Sequence, residues 1–170
     1  MREDRVTAVR TFVYLFGLGA TLVLISLLLP HSPDRDTIGL VIVAAAAYAA
    51  ALALLIAFDR LSLWTFDAAP LLGTALVSLA VYFGGSEAAT AYAMYYFWVA
   101  LAACYFLRPP VAVAHLITAS LAYGLVLLIR PGHAVLPGLT WAMVTGTLTV
   151  VGFLMITLRH QVEGLVGELA

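Results

Sequence analysis

The chain has 170 residues, 64% of them hydrophobic and 10% charged, with a net charge of -1 and a mean hydropathy of +1.07. Too little polar surface exists to cover a soluble globule, and no basic face is available for nucleic acid. The composition therefore predicts a membrane protein, and the chain read in order gives an all-α polytopic bundle of six transmembrane helices carrying a C-terminal helical stem.

In chain order, the polar start Met1 to Arg10 precedes an apolar run from Thr11 to Leu29. At about 1.5 Å per residue that run crosses a ~30 Å hydrocarbon core. It is too long, and lacks the small-residue pattern, for a cleavable signal peptide. The turn-rich segment Pro30 to Asp36 leads to a second span, Ile38 to Phe58, in which Ala44 to Ala47 permit close helix approach. Asp59-Arg60 turns the chain back.

The third span, Leu61 to Phe83, contains Asp67 and Pro70, and two readings of it compete. Asp67 is either a carboxylate inside the membrane, where such groups are costly and functional by default, or the N-cap of a helix with Pro70 in its first turn. In the second case Leu61 to Phe66 lies along the interface, with Trp64 in the aromatic belt. Gly84 to Glu87 breaks the chain again. A fourth span, Ala88 to Leu107, is dense in aromatics, and Arg108-Pro109-Pro110 ends it. The fifth span is Val111 to Ile129, and Arg130 to Gly138 connects it to the sixth, Leu139 to Leu158.

No proline separates that last span from Arg159 to Ala170. Leu158, Val162, Leu165 and Leu169 recur at the spacing of a coiled-coil seam, so a homodimer through the sixth helix and its stem is expected. Residues 1–158 thus read as a transmembrane domain and 159–170 as the start of a cytoplasmic signalling stem. Six spans place both ends on one side of the membrane. Arg2, Arg5, Arg10, Arg60, Arg108 and Arg159 would share that side, against Arg35 and Arg130 opposite, so the ends are expected in the cytoplasm.

The fourth and fifth spans carry Tyr96-Phe97-Trp98-Val99-Ala100-Leu101, then Tyr105-Phe106, a basic turn at Arg108, His115-Leu116 and Tyr123. This pattern resembles the six-helix N-terminal membrane half of bacterial diguanylate cyclases, and Leu158 to Ala170 is similar to the helical stem before their cyclase domain. The resemblance implies a sensor half in the bacterial inner membrane, joined to a cytoplasmic output domain. The Gly-Gly-Asp-Glu-Phe signature of that domain is absent from this chain, so the chain reads as an excised or free-standing input half. Similar anchors precede membrane adenylyl cyclases.

No phosphate-binding loop, catalytic triad or metal-ligand spacing occurs, so neither catalysis nor a cofactor or metal is expected. Cys104, the single cysteine, lies in an apolar run and reads as packing. The candidate sensory cluster is Asp67, His115 and Tyr96. Asp67 and His115 fall at similar depth and are expected to approach each other or to share Arg60 or Arg108; core packing is the alternative for His115 and for Tyr96. His31, His133, Glu87, Asp34 and Asp36 would face a shallow outer vestibule or be plain solvated loops. A signal-input and dimerisation module is thus set against a small transporter or channel, motivated by Asp67 and His115, and against a passive anchor.

Overall fold

The computed structural model describes residues 2–30, 33–56, 63–130 and 136–169, with backbone alone at 2–6, 63–67, 87 and 163–169. The chain is all-helical, and no strand occurs among the described residues. The helices are α1 (Arg2–Ser26), α2 (Thr37–Ile56), α3 (Leu63–Phe83), α4 (Gly85–Ala93), α5 (Tyr95–Phe106), α6 (Pro109–Ile129) and α7 (Pro137–Leu169). Among the described residues, five stretches are long and apolar enough to cross a membrane: Thr7–Ser26, Thr37–Ile56, Ala88–Phe106, Pro109–Ile129 and Pro137–Val162. The apolar part of α3, Ala68–Phe83, is shorter than these.

The outer surface matches such a solvent. Leu18, Ile38, Ile56, Leu128 and Phe153 are exposed on α1, α2, α6 and α7, and a water-soluble monomer rarely presents so much apolar area. Hydroxyls within the spans are accommodated by turning back on their own helix. Thr21, Ser78, Thr118, Thr147, Thr149 and Thr157 each donate to the carbonyl four residues earlier, so these hydroxyl protons are paired within their own helices.

Several boundaries differ from the sequence reading. The polar start is already helical from Arg2, since charged residues tolerate helix where it leaves the apolar layer. Only Gly84 separates α3 from α4. A Cβ at Gly84 would run into the Tyr92 ring, and Gly85 takes φ 78, a left-handed conformation that glycine adopts without strain. The fourth apolar stretch, expected as one helix, is broken at Met94. There the Met94 amide reaches back three residues to Ala91 and the Phe97 amide three to Met94, one tight 3₁₀ turn in an otherwise α-helical path.

The turn between α1 and α2 is pinned to the turn between α3 and α4. The Asp36 carboxylate accepts the Gly39 amide at 2.9 Å and caps α2, the Asp36 amide donates to the Phe83 carbonyl at 2.9 Å, and the Asp34 carboxylate accepts the Ser86 amide at 2.8 Å. Arg35 donates to the carbonyls of Ser26 and Leu27 at the end of α1, neutralising the negative end of that helix. At the same end the Arg130 guanidinium lies 4.4 Å from the centre of the Tyr82 ring. Asp34 and Asp36, both exposed, are therefore engaged as caps. His31 and His133, and the Glu87 side chain, lie outside the described residues.

α6 begins as its sequence dictates, with extended Arg108 at the N-cap and prolines in the first turn. α7 packs on α5 and α6 and is the least buried of the five spans. It comes close because Gly124 leaves room for Trp141 and Gly152 for Leu116. A second apolar cluster forms there from Ala103, Cys104, Leu107 and Ala112, so Cys104 is buried packing.

Candidate functional site

Polar side chains inside the bundle gather where α3, α5 and α6 meet. Thr74 and Ser78 stand one turn apart on α3. His115 on α6 is 3% exposed and places Nε2 3.3 Å from Thr74 Oγ1. Tyr96 on α5 is fully buried, with its hydroxyl 2.7 Å from Ser78 Oγ. Ser78 spends its single proton on the Thr74 carbonyl at 2.8 Å, so Tyr96 must be the donor to Ser78. Beyond Tyr96, the Tyr123 ring meets it edge-on at 5.6 Å, a favourable arrangement of ring quadrupoles. The result is a continuous run from His115 through Thr74, Ser78 and Tyr96 to Tyr123, three helices wide.

One buried nitrogen in the run is left over. His115 Nδ1 is buried with no hydrogen-bond partner among the described residues. If Thr74 donates to Nε2, the ring proton sits on the orphaned Nδ1; if Nε2 donates, Nδ1 presents an unused lone pair. Either state leaves a polar atom facing an apolar wall, a deficit of about 1–3 kcal/mol.

A second polar pair ties α6 to α7. Ser120 and Thr145 hydroxyls lie 2.8 Å apart, and Trp141 Nε1 donates to the Ser120 carbonyl at 3.0 Å. At the other end of α7, Arg159 donates to the carbonyls of Tyr105 and Leu107 at 3.2 and 2.7 Å. These belong to the last turn of α5, where a cation complements the exposed carbonyl charge. Arg159 thus joins the exit of α7 to the turn between α5 and α6.

Of the residues singled out in the sequence, His115 and Tyr96 are brought to one face of α3, bridged by Thr74 and Ser78. Asp67 lies inside α3, four residues past its start at Leu63, and so is not an N-cap; its side chain is outside the described residues. Thr74 and Ser78 were missed because lone hydroxyls in an apolar run carry no spacing signal. Tyr92, one turn before Tyr96, instead donates to Ser26 on α1, whose own proton goes to the Val23 carbonyl. Tyr95 packs beside Tyr92. In the stem stripe, Leu158 and Val162 are exposed at 53% and 56%, and the side chains of Leu165 and Leu169 are outside the described residues. Comparison of the chain with protein-family models, curated proteins and solved structures finds no match.

His115→Leu is expected to alter stability by no more than about 1 kcal/mol, because it removes an orphaned nitrogen along with one long hydrogen bond. Thr74 can then turn its hydroxyl to the carbonyl of Pro70, four residues back. Denaturant titration in mixed micelles checks this. A loss of several kcal/mol would mean that the imidazole is structural.

Proposed function

We propose that this protein is a membrane-embedded signal-input and dimerisation module with six crossings, relaying a stimulus down α7 to a cytoplasmic output domain. The observation that carries the reading is the length of α7. Its 33 residues form one unbroken helix of about 50 Å, well beyond a ~30 Å hydrocarbon layer. A helix continuing without a joint transmits rotation or displacement from one end to the other.

The remaining parts fit this role. α3 supplies the sixth crossing, and the arginine bias puts both termini in the cytoplasm of a bacterial inner membrane. Leu158 and Val162, exposed on α7, begin the seam through which two copies pair, continued by Leu165 and Leu169. The cluster of His115 and Tyr96, joined by Asp67 as the intramembrane carboxylate, is where a stimulus shifts α3 and α6 against α5. Arg159 then passes the shift from the end of α5 to α7. By the resemblance of the fourth and fifth spans and the stem, the output is a diguanylate cyclase. A transporter is the second reading, and the unpartnered His115 Nδ1 favours it.

The test is to join the chain to a dimer-dependent cyclase and insert one to seven residues after Leu169. Relay by a continuous helix gives output that rises and falls with a period of about 3.6 residues. A passive anchor gives a flat profile, and a transporter gives none together with substrate flux.

A further inference from the structure

Away from the polar run, α1, α2, α3 and α5 enclose a cavity of about 220 Å³. Its floor is made by Ala20, Val43, Ala44, Val77 and Val99, all buried, while Leu18, Leu22 and Trp98 in its wall are exposed. The mouth therefore opens sideways, continuous with the lipid-facing surface of α1 and α5. A water molecule needs two to four polar partners to stay in such a space, and the wall is almost wholly hydrocarbon. The cavity is larger than the ~150 Å³ that admits a benzene ring in an apolar core. Small residues create it: Gly19, Ala44, Ala47 and Gly73 line the wall. At Gly19 a Cβ would meet nothing within 4 Å, so the volume stands open beside α1 rather than being closed by a neighbouring side chain.

We propose that this cavity is a binding site for one acyl chain of a bilayer phospholipid. The occupant follows from the setting. The mouth is flush with a surface already in contact with hydrocarbon, so acyl chains are the most concentrated apolar solute there, and a chain entering sideways keeps its headgroup in the interface. The site lies on α1 between Leu15 and Val23, which is about 12 Å of helix, so it takes part of a chain and at a defined depth. This proposal needs only that the bundle sits in a membrane and holds whether or not the chain relays a signal.

The full chain is reconstituted in phosphatidylcholine vesicles containing a phosphatidylcholine with a diazirine in mid-chain, irradiated, and the adducts mapped by mass spectrometry. Adducts are expected on the buried Val43, Ala44 and Val77 as well as on the lipid-facing Leu52. Gly19→Leu, which extends a side chain into the open volume, is expected to abolish the floor adducts and leave those at Leu52. Should that variant fail to fold, the wild type decides the matter by depth: a diazirine beside the headgroup is expected to give Leu-rim adducts without floor adducts. Adducts confined to exposed positions would overturn the proposal, as would floor adducts indifferent to Gly19→Leu in a folded protein.

Discussion

Tyr96→Ala is expected to cost the bundle about 3 kcal/mol, the low end of the ~3–5 kcal/mol typical of large aromatic truncations. In water that cost combines lost transfer energy with a cavity. Inside a bilayer the transfer part shrinks, because lipid tails are as apolar as the core, and the packing part remains. Tyr96 has much packing to lose, being fully buried with its ring against Tyr123. Tyr96→Phe keeps the ring and removes only the bond to Ser78, so its cost is expected near ~0.6 kcal/mol, the average for hydrogen bonds between membrane helices. Unfolding by sodium dodecyl sulfate in mixed micelles measures both. Equal costs for the two variants would mean that the hydroxyl, and not the packed ring, holds α3 to α5.

Arg159→Glu is expected to abolish the response of an attached output to its stimulus while dimers still form. The guanidinium bridges two carbonyls at the end of α5; a carboxylate there meets the negative end of the same helix and must withdraw. The stability lost is expected to be about 1–2 kcal/mol, because the group is partly exposed. The loss of coupling is the larger effect. Arg159→Lys is expected to restore part of it, since an ammonium supplies the charge without the two-pronged geometry. The response is read as output with and without stimulus, and the α5–α7 contact as disulfide formation between cysteines placed at Leu107 and Ile156, which share one apolar cluster. An unchanged response in Arg159→Glu would remove α5 from the route.

The apolar layout of this chain was legible because runs of about twenty apolar residues have few alternatives, and α2, α6 and the start of α7 lie within about two residues of the expected bounds. The break at Met94 was not legible. No glycine or proline marks it, and it arises from how Tyr92 and Tyr96 are directed to partners on different helices, Ser26 and Ser78. Asp67 misled in one of its two readings: an acidic residue three before a proline looks like a cap, but the helix had already started at Leu63. His115 and Tyr96 stood out as polar groups in apolar runs, whereas Thr74 and Ser78, which join them, are ordinary residues whose role depends on which helix lies opposite. Likewise Asp34 and Asp36 could be placed in a loop from the sequence, but the amides they cap on Ser86 and Gly39 depend on the fold.

The central claim, that two copies pair along a continuous α7 and its stem, is tested most directly by single cysteines placed one at a time from Leu154 to Leu169 in the full chain in native membranes. Disulfide formation is expected to peak at Leu158, Val162, Leu165 and Leu169 and to fall at Arg159, His160 and Glu163, following the seam of a parallel coiled coil. A uniform profile, or peaks on the face that carries Gly152 and Arg159, would contradict it.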